Sequence, residues 1–259
     1  MSDTLVIVPT YNEKENAAPL ARAVLAACPE AELLFVDDNS PDGTGRLADE
    51  LAAAEPRIHV LHRPQKQGLG RAYVAGFHWA LERPEYRFIM EMDADFSHDP
   101  KAVPQLRVAA QNADLVLGSR YVGGIRVINW PLNRLILSTG AALYVRLITG
   151  MPFTDPTGGF KCFRREVLAA MDLAAIRANG YSFQVETTHT AWHLGFQVVE
   201  SPITFEERRE GQSKMSGGII NEALWMVWKL YARCGYRRRP RTVHPDSVAA
   251  KPAAGDRPG

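Results

Sequence analysis

The chain is 259 residues long, and its 30 basic and 29 acidic residues leave a formal net charge of +1. Its 46% hydrophobic and 23% charged residues are typical of a globular protein and exclude a disordered or fibrous one. The balanced charge argues against a protein that binds nucleic acid through bulk electrostatics. The three cysteines are far apart and form no CxxC pair, which indicates a reduced, intracellular chain without a zinc site.

Neither a secretory leader nor a membrane span is predicted. The opening MSDTLVIVPT has no basic start, and its short apolar run is better interpreted as a strand. The nearest candidate for a span, residues 132–148, contains Arg134 and Arg146 and falls short of a spanning helix. We therefore expect a cytoplasmic protein that does not cross a membrane.

Strands and helices alternate through the first half of the chain. The predicted strands are TLVIVPT, AELLFVDD, RIHVLHR, RFIMEMD and ADLVLGSR. Their alternation with helical segments predicts βαβ units in an α/β fold with a mainly parallel central sheet. Polar clusters follow four of the strands, namely PTYNE, DDNSPDG, DADFSHD and GSRY. Because ligands bind beyond the carboxyl ends of parallel strands, we expect these clusters to form one site.

The alternation ends after Tyr121. Residues 129–150 are predicted to form one helix or two short ones, and DPTGGFKCFRREVLAAM to pass from a glycine turn into a helix. YSFQVETTHTAWHLGF is predicted to be an amphipathic helix, followed by strand-like QVVESPITFEE. We predict a catalytic domain over residues 1–218, an amphipathic helix over 219–236 and a basic, disordered tail over 237–259.

The segment DADFSHDP admits two interpretations. In the first it is a solvated turn in which Asp93 or Asp95 caps the next helix. In the second, these two carboxylates share a divalent cation whose other ligands are diphosphate oxygens and water. Such a cation would neutralise charge on a departing nucleoside diphosphate. The position at a strand end, among other polar clusters, favours the second, with Asp99 left as a helix-start residue.

Three further clusters have both a structural and a functional interpretation. Asp37 and Asp38 end the second strand, where they could bind a ribose or base or belong to the SPDG turn. Asn12 and Glu13 could begin a helix or contact a base edge. FEERREGQSKMSGG is either a solvated charge run or a loop that wraps phosphates. The candidate phosphate-binding residues in that loop are Arg208, Ser213 and Lys214.

Several enzyme classes lack their motif in this chain. GLGRAYVAG supplies Gly68 and Gly70 of a dinucleotide fingerprint but has Tyr73 at the third position, and no Walker A sequence occurs. HTAWH has Thr190 where a zinc protease needs glutamate, and no serine lies in a GxSxG elbow. Dehydrogenase, P-loop NTPase and both hydrolase classes are therefore disfavoured.

One ordered set of motifs resembles the polyprenyl-phosphate (dolichyl-phosphate) mannose synthases, inverting glycosyltransferases of the GT-A fold in family 2. The set is VIVPTYNE, VDDNSPDGT, KQGLGRAYVAGF, MDADFSHDP, GSRYV, NRLILS and FEERREGQSKM. The resemblance covers residues 5–236. It implies that GDP-mannose donates mannose to the phosphate of a membrane polyprenol, with Mg²⁺ or Mn²⁺ as cofactor.

The resemblance also implies residue roles. Asp93 and Asp95 would hold the metal, and Asp95, Arg120 and Arg134 would be catalytic. Ser97 stands where relatives can carry a glutamine ligand, which leaves the third protein ligand open. The donor nucleotide would be bound by Pro9, Tyr11, Asn12, Glu13, Asp37, Asp38, Gly68, Asp93, Arg208 and Lys214. The acceptor phosphate would be bound by Arg120, Arg134 and Ser138.

The chemistry of such an acceptor is compatible with arginines in place of a catalytic base. A phosphomonoester has a second pKa of about 6, so its oxygen can attack at neutral pH without losing a proton to the enzyme. Positioning and charge neutralisation remain for the protein. Glu186, at the position of a catalytic acid in hydroxyl-using relatives, is therefore predicted to be structural.

Two segments have the composition of helices at a membrane interface. Residues 132–148 and 219–236 combine apolar and aromatic residues with flanking arginines. Packing on the protein's own core is an equal alternative for the first segment. RCGYRRRPR, which overlaps the end of the second, favours peripheral contact with anionic headgroups on the cytoplasmic face of a membrane. A separate membrane-anchor protein is a further candidate partner.

Three alternatives stay open. The first is an enzyme of the same class with a different sugar or lipid: glucose from UDP-glucose as the donor sugar, or undecaprenyl phosphate as the acceptor. The second is a nucleotidyltransferase, which also joins an α/β sheet to paired metal-binding aspartates, although PTYNE stands where its glycine-rich loop would be. The third, a non-catalytic glycan-binding module, is disfavoured by the intact Asp93 and Asp95.

Overall fold

The structure, a computed structural model, describes residues 2–176, 178, 180–206 and 225–232. Within these ranges the strands are β1 (Thr4–Thr10), β2 (Ala31–Asp37), β3 (Ile58–His62), β4 (Phe88–Glu91), β5 (Leu115–Ser119), β6 (Val127–Ile128), β7 (Lys161–Arg164), β8 (Val198–Pro202) and β9 (Phe205–Glu206). The helices are α1 (Lys14–Ala27), α2 (Thr44–Ala54), α3 (Leu69–Leu81), α4 (Val103–Ala109), α5 (Leu132–Thr149), α6 (Arg165–Ala169) and α7 (Gly180–His193). Residues 225–232 are also helical.

Seven of these strands form one sheet in the order β3-β2-β1-β4-β7-β5-β8. Neighbouring strands are parallel except where β7 pairs with β4 and β5, to which it is antiparallel. The predicted α/β fold with a mainly parallel sheet is confirmed. Strands β6 and β9 form a separate parallel pair. The carboxyl ends of β1, β2, β4 and β5 lie at one edge of the sheet, where the predicted polar clusters follow them.

Both faces of the sheet are covered by helices. Leu5 and Ile7 of β1 belong to an apolar layer shared with α3 and α7, whereas Val6 and Val8 belong to one shared with α1 and α4. This two-sided burial explains why the strands are continuous apolar runs. At Gly76 of α3, an added Cβ would lie 2.7 Å from Ile7 Cγ2, so this helix contacts β1 through bare backbone.

The prediction that DPTGGFKCFRREVLAAM passes from a turn into a helix is wrong for its middle part. FKCFR contains β7, a strand in the interior of the sheet, and α6 is only five residues long. The strand pattern is obscured by Lys161, which is fully buried. Its ammonium group donates to the backbone oxygen of Gln184 (2.7 Å) and to Thr187 Oγ1 (2.8 Å), contacts that only the fold supplies.

The structure describes the first predicted interface helix in full and part of the second. α5 is one helix and ends at Gly150, whose φ of 73° is left-handed. In the helix at residues 225–232, Val227 and Leu230 are buried in the main core. Residues 207–224 and 233–259 lie outside the described residues, so the domain boundaries stay a prediction. Among the described helices, none combines the length and apolar character that crossing a membrane requires.

Candidate active site

The loops that follow β1 and β2 are joined through Asp37. Its carboxylate accepts hydrogen bonds from Thr10 Oγ1 (3.1 Å), Ser40 Oγ (2.6 Å) and the Ser40 backbone N–H (3.1 Å). Ser40 Oγ also accepts a hydrogen bond from the backbone N–H of Asn12 (3.1 Å). Asp37 is buried, so its visible role is to shape both loops. Its predicted contact with a nucleoside stays a prediction.

The segment Pro9 to Glu13 leaves β1 and starts α1. Pro9 is partly buried and pairs with Val36 in the sheet. Asn12 has a left-handed φ of 60°, and Glu13 is the residue before the first turn of α1. The Glu13 carboxylate accepts a hydrogen bond from Asn16 Nδ2 (2.8 Å). Glu13 therefore occupies the N-cap position of α1, without a side-chain capping hydrogen bond, and Asn12 precedes it. The role of both residues toward a base stays a prediction.

Asp38 forms a buried ion pair with Arg63, which follows β3. The guanidinium donates to Asp38 Oδ1 through Nη1 and to Gln67 Oε1 through Nη2 (2.9 Å). Burial raises the pKa of Asp38 and outweighs the opposite effect of the guanidinium. The pair therefore presents polar atoms at the carboxyl end of β2 in a fixed geometry.

Tyr11, Lys66 and Gly68 lie beside this pair on the adjoining loops. Lys66 Nζ is 3.7 Å from the centre of the Tyr11 ring, a cation–π contact. Gly68 precedes α3 with a φ of 100° and a ψ of 160°, a conformation that an L side chain rarely adopts. This corner offers an aromatic face, a cation and a glycine backbone without a side chain, which are suited to a nucleotide.

Asp93 and Asp95 lie in the loop after β4, where each carboxylate accepts a hydrogen bond from a neighbouring residue. Tyr73 of α3 donates to Asp93 Oδ1 (3.3 Å), and the Ser97 backbone N–H donates to Asp95 Oδ1 (3.0 Å). Phe96, which lies between Asp95 and Ser97, has a left-handed φ of 60°, which is uncommon for a bulky residue. This tight turn keeps the two carboxylates on one short segment.

His98 lies between this loop and the acceptor side of the site. Its Nδ1 accepts a hydrogen bond from the Asp93 backbone N–H (3.1 Å), and its ring stacks on Phe160 at 4.9 Å. Burial lowers the pKa of His98, against the raising effect of Asp93 and with a smaller lowering effect of Arg120. Because Nδ1 accepts the Asp93 N–H, that nitrogen carries no proton, which is the state that burial favours. Both predicted parts of the site affect the pKa of this imidazole.

The donor set of the loop fits a hard divalent cation. In the described part of the chain, no group of three or more His, Cys, Asp or Glu residues could hold a metal ion by itself. Mg²⁺ and similar cations use one or two protein carboxylates and complete their shell with phosphate oxygens and water. Asp93 and Asp95 satisfy that requirement. Among the described residues, Ser97 has a backbone N–H contact to Asp95, and the third protein ligand stays open. Asp99 caps the 3₁₀ turn Pro100–Ala102, which confirms it as a helix-start residue.

Arg120, which follows β5, is held by Asp155. The guanidinium donates from Nε to Asp155 Oδ2 (2.7 Å), from Nη2 to Asp155 Oδ1 (2.6 Å), and from Nη2 to Thr157 Oγ1 (2.9 Å). Burial by itself raises the pKa of Asp155, but Arg120 reverses the effect and leaves that pKa lowered. The charge of Arg120 is thus balanced within the protein, which the motif alone does not indicate.

Arg134 and Ser138 lie one turn apart on α5. The Arg134 guanidinium carbon is 4.3 Å from the centre of the Trp130 ring. Ser138 Oγ accepts a hydrogen bond from Tyr121 OH (2.7 Å), and Tyr121 directly follows Arg120. The structure therefore brings the three predicted acceptor residues to one region, between the end of β5 and the first half of α5.

A buried ion pair joins β7 to the end of β4, the strand that precedes the loop with Asp93 and Asp95. Lys161 Nζ lies 3.9 Å from Glu91 Oε2, and neither side chain is exposed. Burial raises the pKa of Glu91 to about 7 and lowers that of Lys161 to about 8. Glu91 ends β4 two residues before Asp93, so this pair fixes the base of the loop.

The remaining candidates divide between described and undescribed residues. Glu186 lies on α7 and is buried, whereas Arg208 and Lys214 lie outside the described residues. Sequence reasoning missed five residues that the fold brings into the site: Arg63, Lys66, His98, Trp130 and Asp155. A signal existed for the first two, since HRPQKQG follows a predicted strand as the other clusters do. No comparable signal marked Asp155, whose partner is distant in sequence.

Comparison with known proteins identifies a family. Residues 5–171 match the family model described as Glycosyl transferase family 2. The chain is 52% identical over 234 residues to the polyprenol monophosphomannose synthase of Mycolicibacterium smegmatis, an alignment that covers 89% of this chain and 88% of that protein. It is 50% identical over 231 residues to the undecaprenyl-phosphate mannosyltransferase of Micrococcus luteus, with coverage of 88% and 95%.

Solved structures show the same fold at much lower identity. Glucosyl-3-phosphoglycerate synthase from Mycobacterium tuberculosis, in complex with phosphoglyceric acid, has a TM-score of 0.63 and 17% identity over 91% of this chain and 81% of its own. Its complex with Mn²⁺, UDP and phosphoglyceric acid also has a TM-score of 0.63 at 17% identity, over 91% and 80%. The shared fold is that of the GT-A glycosyltransferases.

Proposed function

The chain belongs to glycosyl transferase family 2, and we propose that it transfers mannose from GDP-mannose to the phosphate of a membrane polyprenol with inversion at the anomeric carbon. The observation that carries this proposal is the joining of a carboxylate pair and a pair of arginines at one sheet edge. Asp93 and Asp95 suit a nucleoside diphosphate with its cation, and Arg120 and Arg134 suit a phosphate. The two mannosyltransferase relatives support the choice of sugar and lipid.

The donor nucleoside would lie at the corner formed by the ends of β1 and β2. Tyr11 offers a ring face, and Asp38, held by Arg63, offers carboxylate oxygen to a ribose or base. Lys66 would exchange its contact with the Tyr11 ring for one with phosphate. Gly68 lets the backbone at the start of α3 come close to the nucleotide. Arg208 and Lys214, which lie outside the described residues, are proposed to cover the diphosphate.

Asp93 and Asp95 would hold Mg²⁺ or Mn²⁺. When bound, the cation supplies charge neutralisation for the departing diphosphate. The Mn²⁺ and UDP in complexes of the M. tuberculosis synthase, which shares the fold, support this assignment. The protein's own part is to orient the carboxylates: Tyr73 holds Asp93, and the Ser97 N–H holds Asp95. His98 Nδ1 accepts the Asp93 backbone N–H and so helps to fix this loop.

The acceptor phosphate would lie between Arg120 and Arg134. Because Asp155 balances the charge of Arg120, this guanidinium contributes directed N–H donors and a fixed position rather than net charge. Arg134 would add positive charge, and Ser138 a hydroxyl. A phosphate that is ionised at neutral pH needs no proton acceptor, so this set can promote attack by orientation and electrostatic stabilisation alone. Glu186 would then be structural.

The lipid chain of the acceptor requires contact with a membrane. Leu132, Ile136, Leu143 and Leu147 are 52% to 70% exposed and lie within about 60° of one another around the axis of α5. Trp225 and Trp228 are also exposed, although their helix contributes Val227 and Leu230 to the core. We propose that this apolar stripe of α5 and these tryptophans lie at the cytoplasmic face of a membrane, without spanning it.

The test supplies labelled GDP-mannose or labelled UDP-glucose together with Mg²⁺ and undecaprenyl phosphate in liposomes. Label is expected in the organic phase from GDP-mannose alone, and the β configuration of the product, read by NMR, would establish inversion. Label from UDP-glucose alone would replace mannose by glucose in the proposal. The proposal would be overturned if protein that binds GDP and Mn²⁺ transferred no sugar from either donor to undecaprenyl phosphate.

A further inference from the structure

Trp130, which the resemblance assigns to no role, contacts both arginines of the acceptor region. It lies in the short segment between β6 and α5. The centre of its ring is 4.3 Å from the guanidinium carbon of Arg134 and 5.6 Å from that of Arg120. One aromatic side chain therefore touches two cations that come from different elements of the fold.

The ring is itself fixed from another side. Phe205 of β9 packs edge-on against it, with ring centres 5.4 Å apart and planes at 81°. Phe205 also lies 5.6 Å from the guanidinium carbon of Arg120, and Tyr121 lies 5.2 Å from it. Cation–π contacts of this kind contribute roughly 0.5–2 kcal/mol, and more where water is excluded. A change in the position of the Trp130 ring would therefore alter a contact of both guanidinium groups.

The indole N–H of Trp130 is a buried donor without an acceptor in the described part of the chain. Its Nε1 atom has essentially no solvent exposure and no hydrogen-bond partner among residues 2–176, 178, 180–206 and 225–232. A buried donor in this state costs roughly 1–3 kcal/mol, and such groups are rare in native proteins. This donor lies beside the two arginines proposed to bind the acceptor phosphate, so an oxygen of that phosphate is a suitable hydrogen-bond acceptor for it.

We propose that Trp130 positions the acceptor: its ring holds Arg120 and Arg134 in place, and its indole N–H donates a hydrogen bond to an oxygen of the polyprenyl phosphate. The inference rests on the proposed function. A neutral donor has a physical advantage in this position, because a third cation would repel the two arginines whereas an N–H group adds a directed contact without charge. No bond is made or broken by Trp130.

Trp130→Phe tests the N–H group separately from the ring. Phenylalanine keeps an aromatic face for the arginines but has no donor. A hydrogen bond to a charged group is worth about 1.5–3 kcal/mol, so the KM for undecaprenyl phosphate should rise at least about tenfold. The KM for GDP-mannose and kcat at saturating acceptor should stay close to wild type. Trp130→Leu, which also removes the ring, should lower kcat as well because the arginines lose their support.

Trp79→Phe is the matched control. Trp79 on α3 also carries an arginine over its ring, Arg83 at 3.5 Å, but it lies toward the end of the helix opposite Gly68. All its kinetic constants should match wild type. If Trp130→Phe does not fold, site-specific incorporation of 3-benzothienylalanine replaces the indole N–H by sulfur at nearly constant shape and tests the same donor.

The outcomes separate this inference from the proposed function. A wild-type enzyme that transfers mannose, together with a Trp130→Phe variant whose acceptor KM is unchanged, would overturn the inference alone. A variant with a raised KM for GDP-mannose and an unchanged acceptor KM would also overturn it, because the N–H would then serve the donor side. A wild type that transfers no sugar to any polyprenyl phosphate would overturn the proposed function and the inference with it.

Discussion

Arg120 and Asp155 form a buried ion pair through two parallel hydrogen bonds, 2.7 Å from Nε to Oδ2 and 2.6 Å from Nη2 to Oδ1. Asp155 is fully buried and Arg120 nearly so. The Asp155 carboxylate also accepts the backbone N–H of Arg120 (3.0 Å), so the turn after β5 and the side chain that leaves it are fixed by one group. The pair thus connects the stability of the fold to the geometry of the acceptor region.

Asp155→Asn should destabilise the protein by roughly 3–5 kcal/mol, because it leaves a buried guanidinium without its counter-charge. The loss should be largest at neutral pH. The folded-state pKa of Asp155 is below its ordinary value, so its ionised form stabilises the fold above that ordinary pKa, and the contribution is lost as the pH falls through the lowered value. Urea unfolding of wild type and variant at several pH values should therefore show that the difference between their free energies of unfolding decreases in acid.

Asp49→Asn provides the comparison for this experiment. Asp49 pairs with His62 at 2.8 Å, but both side chains are about half exposed. A surface pair of this kind contributes at most about 1 kcal/mol, so the free energy of unfolding should change little. If Asp155→Asn were equally mild, the Arg120–Asp155 pair would not organise the site as described.

Asp95→Asn should lower the rate of transfer at least about a hundredfold and weaken Mn²⁺ binding in the presence of GDP, because the amide keeps the shape of the carboxylate but not its charge. The amide oxygen can still accept the Ser97 N–H, so the free energy of unfolding should change little. Electron paramagnetic resonance of Mn²⁺ gives a readout that does not depend on turnover. Asp99→Asn, an exposed residue of the same loop that caps a 3₁₀ turn, should leave both quantities unchanged. Full activity of Asp95→Asn would exclude the metal-ligand assignment.

The strand ends of this fold could be predicted because local patterns encode them. Four apolar strands are each followed by a polar cluster, and parallel pairing alone brings those clusters to one edge. β7 could not be predicted in the same way. The pairing of β7 with β4 and β5 is not local in sequence. Lys161 also interrupts the apolar pattern of β7, and its partner Glu91, which makes its burial possible, lies on β4.

Contacts made by the fold also explain which site residues the sequence concealed. Asp37 has the right position for a nucleoside ligand, but its oxygens are already used by Thr10 and Ser40. Trp130 directly precedes the predicted interface segment 132–148, and only the structure shows that its ring contacts two arginines. Residue type and spacing predict where polar groups gather. They do not predict which of those groups the protein satisfies internally.

Lys161→Met should destabilise the protein most in alkaline solution, by roughly 3–5 kcal/mol, since ionised Glu91 would lie buried there without its counter-charge. The pKa of Glu91 is about 7 in the fold, so its ionisation costs stability as the pH rises from its ordinary value through about 7. Without Lys161 that pKa rises further, so in the variant the cost keeps growing above pH 7. The difference between the two free energies of unfolding should therefore widen as the pH rises above 7 and narrow near pH 5, where Glu91 is protonated in both proteins.

A double-mutant cycle isolates this pair from effects of shape. Glu91→Gln combined with Lys161→Met removes both charges, and the double variant should be more stable than Lys161→Met alone. The free energies of unfolding by urea give the coupling energy. Strictly additive losses would show that the two side chains do not interact.

Ile136→Gln combined with Leu147→Gln should weaken binding to anionic liposomes about tenfold or more, because both side chains belong to the apolar stripe of α5 and each buries apolar area in a membrane. The fold should be unaffected, since both residues are more than half exposed. Cosedimentation with liposomes measures the effect. Val108→Gln on α4, where the side chain is 57% exposed, is the control that should bind like wild type. Equal losses in both proteins would contradict a membrane face on α5.

The pH dependence of transfer should report the acceptor phosphate rather than a side chain of the protein. As the pH falls through about 6, the phosphate dianion takes up one proton and becomes the monoanion, so kcat/KM for undecaprenyl phosphate should fall with one ionisation. Glu186→Gln should retain the same profile and a kcat near that of wild type, because the attacking oxygen needs no base. Circular dichroism must first show that this buried variant is folded. A folded Glu186→Gln protein that binds GDP but does not turn over would instead make Glu186 a catalytic residue, and the attack would then depend on a proton transfer within the protein.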